Sequence, residues 1–301
     1  MATKEQLLDG LRKAFQGTSD IPQDKMLFTY NGVIYPSATC NIPTFKTIET
    51  FEAREDDIML VAYPKCGSNW SMKLLHDMVH AIYNIGPSSV IPLIEFGLPD
   101  KFEKLKEEPS PRVLETHLHY DNIPKPFFEK NVKMLVVFRN PKDTAASMFH
   151  FYKNNPLIPS YNSWDEFFPD FMAGKVVWGS YFDHAVAWNK HLNEKVLLMT
   201  FENMKEDLEG SVKKISEFFR ISLTEEQVKL IAETGTFKSM KENSNETHGD
   251  FAKVLFRKGE IGDWKNHFTK AQSEEMDAKF EECLAETKLG NMLKYDVYCK
   301  W

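Results

Sequence analysis

Cysteine is scarce in this sequence. Its 4 cysteines, Cys40, Cys66, Cys283 and Cys299, form no Cys-x-x-Cys pair and no dense framework. That excludes a zinc-finger pattern and a disulfide-stapled scaffold, and it points to a reducing, cytoplasmic location. Long apolar runs are missing too. The longest, near 58–63 and 134–138, fall far short of the roughly 20 residues that cross a bilayer, so no membrane partner is expected. The first residues lack the unbroken apolar stretch of a secretory signal. Leu7, Leu8, Leu11, Ala14 and Phe15 recur there at helical spacing among charges. Positive charge is in deficit: 37 Lys and Arg face 44 Asp and Glu, a formal net charge of −7. A general nucleic-acid binder would show the opposite balance, and an anionic ligand here needs a local basic cluster. The Gly-x-x-x-x-Gly-Lys-Ser/Thr pattern is absent, which disfavours a P-loop nucleotide kinase. His76 and His80 stand one helical turn apart without the glutamate of a hydrolytic zinc helix, so no metal is expected.

Aromatics, by contrast, are plentiful: 13% of the 301 residues, with 23 Phe. They are read either as a Phe-rich core alone or as a core plus an aromatic-lined pocket. Runs at 58–63, 112–117, 132–139 and 196–201 are rich in Val, Leu, Ile and Met, as strands covered on both faces should be. Helical spacing follows three of them. Trp70, Leu74, Leu75, Met78, Val79 and Ile82 mark one face after the first. Asn140-Pro141-Lys142-Asp143 reads as a cap, a first-turn proline and an acidic third position after the third. Leu208, Val212, Ile215, Phe218 and Phe219 follow the fourth. Such alternation predicts an α/β fold with a mostly parallel sheet and helices on both sides. The stretches 86–111 and 241–259 read as irregular, and as candidate lids.

The chemistry concentrates where the first strand meets its helix. Lys65-Cys66-Gly67-Ser68-Asn69-Trp70 occupies the turn, where unpaired N–H groups and the helix dipole favour an anion. Gly67 permits close approach, Ser68 and Asn69 add donors, and Lys65 adds a charge. Arg139 closes the third strand at the ligand-binding end of the sheet, and Ser147 lies on the following helix. Arg257-Lys258-Gly259, ahead of Gly262-Asp263-Trp264, suits a basic lid.

Together these segments resemble the cytosolic sulfotransferase family, most like its 6B branch. Tyr63 to Trp70 is similar to the family's 5′-phosphosulfate loop, and Arg139 through Ser147 to its 3′-phosphate segment. Arg257-Lys258-Gly259 with Gly262-Asp263-Trp264-Lys265 is similar to its C-terminal signature, and Thr116-His117 falls at its catalytic histidine. The likeness spans residues 28–299. It implies one domain over 1–301, with 1–27 a helix and lead-in and a P-loop-like strand–loop–helix. It also implies the donor 3′-phosphoadenosine 5′-phosphosulfate (PAPS), released as the bisphosphate PAP.

By position, Lys65, Cys66, Gly67, Ser68 and Asn69 would hold the phosphosulfate. Arg139, Ser147, Arg257, Lys258 and Gly259 would hold the 3′-phosphate. Trp70 would stack on adenine, with Phe201, Phe237 and Phe256 nearby. His117 would be the general base, with Lys65 and Ser147 completing the catalytic set. On a strand His117 and His119 share a face. Geometry alone leaves either as base, and the family pattern selects His117. Phe28, Phe149 and Phe151, with His117, are expected to line the site of a small hydroxyl or amine acceptor. A weakly catalytic nucleotide- or ligand-binding protein of the same fold is the competing reading.

Departures from the pattern matter. Glu115 stands where many members have lysine, and its carboxylate would repel an anionic donor unless it points away or pairs. Phe201 and Gly235 replace a common tyrosine and a hydroxyl residue. Cys66, beside Lys65 at a helix start, reads either as a thiol of lowered pKa or as a passive small residue. Lys265, Thr269 and Glu274 match the family's dimer motif, but Lys270 replaces its central apolar residue, which should weaken a homodimer.

Overall fold

A computed structural model describes residues 22–242, 252–255 and 257–301. Most of the expected N-terminal helix, and Phe256, lie outside these residues. The described chain opens with a hairpin that the pattern reading passed over. Strands β1 (Leu27–Tyr30) and β2 (Val33–Pro36) pair antiparallel. They are joined by Asn31-Gly32 with φ of 47° and 77°, the left-handed pair that a tight two-residue turn demands.

The four apolar runs become β3 (Ile58–Ala62), β4 (Val113–Thr116), β5 (Lys133–Phe138) and β6 (Val196–Thr200). They form a parallel sheet in the order β4-β3-β5-β6. Every residue of β3 is buried, and in β5 only Lys133 is not. This is why the runs are mostly apolar rather than alternating. Alternation survives in what each residue touches. Met59, Val61, Leu114, Met134 and Val136 join one core, which also holds most of the buried phenylalanines. Ile58, Leu60, Ala62, Leu135 and Val137 join a second, on the other face.

Helices cover both faces. Helix α1 (Ser68–Tyr83) buries Leu74, Leu75, Met78 and Val79. Ile82, which was expected on the same face, is 39% exposed, because the last turn runs past the sheet. Helix α2 (Pro141–Asn154) starts as its sequence dictates: the Asn140 side chain accepts from the Asp143 backbone N–H, with Pro141 in the first turn. Helices α3 (Leu208–Phe219) and α4 (Glu225–Thr234) pack beside α1 on the second core, and α5 (Lys270–Cys283) lies on the first. A short helix, Phe201–Glu206, follows β6 directly, so Phe201 begins a helix instead of ending a strand.

The stretch 86–111 is less irregular than its prolines suggest, for it contains the helix Lys101–Glu107. Its 92–94 portion runs along β4. The Glu115 N–H donates to the Pro92 carbonyl at 3.0 Å, and the Ile94 N–H donates to that of Glu115 at 2.9 Å. Among the described residues, no helix is long and apolar enough to cross a membrane.

Strand order reverses between β3 and β5, and ligands of open α/β sheets bind outside the strand ends at such a point. Four strand ends deliver residues there. Beyond Ala62 comes Lys65, beyond Thr116 comes His117, beyond Phe138 comes Arg139, and beyond Thr200 comes Phe201.

Candidate active site

A cavity of about 560 Å³ opens at these ends. Of the residues singled out in the sequence, Lys65, Gly67, Ser68, Asn69, Trp70, His117, Arg139, Ser147, Phe151, Phe201, Phe237, Arg257, Lys258 and Gly259 line it.

The turn after β3 is strained in the way an anion cradle requires. Lys65 and Gly67 have φ of 72° and 101°. Gly67 caps α1 with no side-chain bond of its own, so the first N–H groups of the helix stay available. A Cβ on Gly67 would stand 3.0 Å from the Phe201 ring. Phe201 is the platform beneath the loop. Its ring meets Trp70 edge-on at 5.3 Å and carries the Arg139 guanidinium 4.5 Å above its centre. Arg139 is further held by the Glu260 carbonyl at 2.6 Å, and its buried Nε has no hydrogen-bond partner among the described residues. A buried guanidinium N–H without an acceptor is costly, and an anion would satisfy it.

Lys65 Nζ sits 4.8 Å over the Phe151 ring. Burial, and then the charges of Arg139 and Arg257, pull the Lys65 ammonium down to about 7. Lys65, Arg139 and Arg257 thus converge at this end of the cavity. Trp70 is fixed at its far edge: Nε1 donates to the Gly235 carbonyl at 2.6 Å. Position 235 has no room for a side chain. Any Cβ there would stand 2.6 Å from the Leu74 side chain and 2.8 Å from the Ile231 carbonyl. Thr236, next in the chain, lines the cavity, and sequence reasoning missed it.

Arg257 and Lys258 line the cavity, yet both are held on Asp263, each at 2.5 Å. Burial alone would raise the Asp263 carboxyl; hydrogen bonds from Lys258, Asn266 and Arg257 hold it well below its ordinary value. Asp263 was noted only as part of a signature. Lys205, also unforeseen, lines the cavity and donates to the Gly259 carbonyl. Ring nitrogens of His150 and His267 approach to 3.2 Å beside Asp263. This trio has the donor set of a metal site, but Arg257 and Lys258 already occupy its carboxylate. That arrangement suits an anion site's scaffold better than a cation's.

His117 and His119 do not share a fate. β4 ends at Thr116, so the strand rule stops applying. His117 Nδ1 lies 2.7 Å from the Ala62 carbonyl oxygen. A carbonyl only accepts, so Nδ1 carries the proton and Nε2 keeps its lone pair. Burial lowers the His117 pKa, with Lys65 adding to the effect, against raising contributions from Glu95 and the Ala62 bond. His119 points elsewhere: its Nε2 pairs with the Trp178 carbonyl at 2.8 Å, its ring packs on His184, and it does not line the cavity.

Three other expectations change. Phe28 packs on Tyr35 and Phe45, and Phe149 on Trp164 and Phe167; neither lines the cavity. Phe151 does, and the apolar end is completed by Ile91, Leu93, Phe96, Ile158 and Trp178. Cys66 faces the core with Sγ 3.7 Å from the Thr144 hydroxyl. Burial pushes its thiol up to about 12, the reverse of an activated cysteine. Glu115 does not point away: it is 4% exposed and lines the cavity.

A parallel sheet with a glycine cradle, three convergent cations and a neutral histidine at its strand ends defines an enzyme of anionic group transfer. Residues 55–288 match the model of the sulfotransferase domain, and the chain belongs to the sulfotransferase family. It is a PAPS-dependent sulfotransferase. Among curated proteins it is similar to sulfotransferase 6B1 of Homo sapiens, at 47% identity over 302 residues and 100% of both chains. It is also similar to sulfotransferase 6B1 of Danio rerio, at 46% identity over 96% of this chain and 99% of that one. Among solved structures, mouse sulfotransferase SULT7A1 complexed with PAP superposes with a TM-score of 0.84. The identity there is 36%, over 91% of this chain and 99% of that one.

Proposed function

We propose that this enzyme transfers the sulfuryl group of PAPS to a hydroxyl or amine of a small, apolar or aromatic acceptor, with His117 as general base. The observation that carries the reading is the Nδ1 bond from His117 to Ala62, which leaves Nε2 unprotonated in the same cavity as Lys65 and the Gly67 cradle. The residues present fit the donor. Gly67, Ser68 and Asn69 offer the phosphosulfate an N–H and hydroxyl cradle. Arg139 and Ser147 suit the 3′-phosphate, joined by Arg257 and Lys258 once they exchange Asp263 for it. Trp70, Phe201 and Phe237 offer faces for the base.

In the reaction, His117 Nε2 takes the acceptor proton as the acceptor oxygen or nitrogen bonds to sulfur. The bond from sulfur to the 5′-phosphate oxygen breaks, and its electron pair leaves on PAP. Lys65, recharged beside that anion, stabilises the leaving oxygen. Phe151, Phe96 and Trp178 favour an acceptor with an aromatic or flat apolar body.

Glu115 favours a second reading, a PAP-binding protein with weak transfer, because a carboxylate stands where the family pattern has lysine. Transfer of labelled sulfate from PAPS across a panel of phenols, alcohols and amines separates the two. Transfer in the parent and not in His117→Ala supports the first; tight PAP binding with no transfer to any acceptor overturns it. Lys270, the first residue of α5, is 86% exposed beside Glu274, and we read the enzyme as a cytosolic protein whose dimer contact is weakened there.

A further inference from the structure

Glu115 is the sole carboxylate among the described residues that line the cavity, where Lys65, Arg139, Lys205, Arg257 and Lys258 are the cations. It comes from β4 two positions before His117 and is all but inaccessible to solvent. Its surroundings on each side can be named. From the start of α1, Ser68 lines the same cavity and favours the ionised form of Glu115. From the turn that follows the 92–94 segment, Glu95 accepts from the Thr116 hydroxyl at 2.9 Å and the His117 N–H at 2.8 Å, and adds like-charge repulsion. Lys65 and His117 line the same cavity. No ion pair to Glu115 occurs among the described residues, so neither turning away nor pairing relieves the conflict with an anionic donor.

A third route remains. Ser68 belongs to the cradle, and its single O–H serves either Glu115 or a phosphosulfate oxygen. When an anion takes it, the buried carboxylate loses the support of Ser68 and gains a negative neighbour. Both changes favour the neutral acid. We propose that Glu115 takes up a proton as the donor nucleotide settles on Ser68, and that it serves in the loaded site as a neutral carboxylic acid able to donate a hydrogen bond toward the phosphosulfate. It is thus a specificity and positioning residue: it makes donor binding proton-linked, in a place where a lysine would be cationic throughout. The poise of the free site fits. Burial, with Glu95 adding and the Ser68 bond opposing, raises Glu115 to about 7, so the exchange falls within physiological pH. This inference rests on the PAPS reading above.

Calorimetric titration with PAP at pH 8 in Tris and in HEPES tests it, since the two buffers differ in ionisation heat and report protons taken up on binding. The phosphates of PAP, with second pKa values of about 6, are already ionised there. Lys65 also regains a proton beside the anion, so the readout is a difference. Uptake by the parent should exceed that by Glu115→Gln by close to one proton per PAP. Ser68→Ala should fall between them, because without the hydroxyl Glu115 is already more protonated before PAP arrives. PAP affinity of the parent should drop up to tenfold per pH unit above pH 7, relative to Glu115→Gln. Equal uptake by the parent and Glu115→Gln overturns the inference and leaves the donor reading standing. Unchanged uptake in Ser68→Ala overturns the exchange through Ser68. No binding of PAP to the parent overturns the donor reading itself, and the inference with it.

Discussion

The ring of His117 is anchored to the carbonyl oxygen of Ala62, the last residue of the neighbouring strand, through a 2.7 Å bond from Nδ1. Two strands therefore fix one tautomer. Because burial lowers the His117 pKa, the imidazole stays neutral to lower pH than an exposed histidine would. The sign follows: the base is competent above its own pKa and lost as pH falls through it. The acidic limb of kcat/KM is expected to have its midpoint below 6.5. His117→Ala should abolish that limb and lower turnover by about 10²–10⁴-fold, the usual worth of general-base catalysis. An acidic limb unchanged in His117→Ala would assign the base elsewhere.

Gly67 and Phe201 set the height of the turn after β3. An alanine at 67 must hold a φ of 101° and meet the Phe201 ring at 3.0 Å. A left-handed backbone costs a side-chain-bearing residue about 1–2 kcal/mol, and moving the ring disturbs Arg139 above it. Gly67→Ala is expected to raise the Kd for PAP by ~tenfold or more, where about 1.4 kcal/mol is tenfold. Phe201→Leu, which removes the ring while leaving the loop free, should weaken PAP binding with a smaller loss of thermal stability than Gly67→Ala. Calorimetry and melting curves on the two variants check this.

The buried thiol of Cys66 leads to an expectation opposite to the one its neighbour Lys65 suggests. With its pKa pushed up to about 12, almost no thiolate exists at neutral pH, and the thiolate is the reactive form. Peroxide treatment should therefore inactivate the parent enzyme and Cys66→Ser at the same rate. Protection in Cys66→Ser, measured as residual transfer activity, would show that the loop opens enough to expose the sulfur.

These cases show what the chain discloses on its own. Strands buried on both faces stand out because most of their residues are apolar, and all four were legible even with Glu115 and Thr116 in β4. The Asn140 cap and the Lys65–Trp70 turn were legible for a similar reason: local chemistry there leaves few choices. What stayed hidden depends on partners distant in sequence. The side chain of Phe149 looks no different from that of Phe151 until α2 packs against Trp164 and Phe167. His117 and His119 look alike until β4 ends just ahead of them, at Thr116. The fixed position of Gly235 comes from Leu74 and the α4 carbonyls, and the hold of Asp263 on Arg257 and Lys258 comes from a turn no periodicity marks. The hairpin at 27–36 was the avoidable omission, since Asn31-Gly32 between short apolar runs is a turn signal in its own right.

Far from the cavity, at the opposite ends of β3 and β4, Arg112 grips Asp57 through two bonds. Nε donates to Oδ1 at 2.7 Å and Nη2 to Oδ2 at 2.6 Å, and Arg112 also serves the carbonyls of Leu105 and Glu52. Both side chains are almost wholly buried, at 2% and 0% exposure. Removing one partner of such a pair leaves an uncompensated charge in the interior, at a cost of about 3–5 kcal/mol. Asp57→Ala should lower the urea midpoint by that equivalent. It should leave the KM for PAPS unchanged in the protein that remains folded, because the strand ends that build the site lie at the other edge of the sheet. Replacing both partners, as Asp57→Ala with Arg112→Met, should destabilise no more than Asp57→Ala alone, since it removes the orphaned charge as well. A double variant clearly less stable than the single one would mean that the Arg112 bonds to Leu105 and Glu52, rather than the ion pair, hold this corner together.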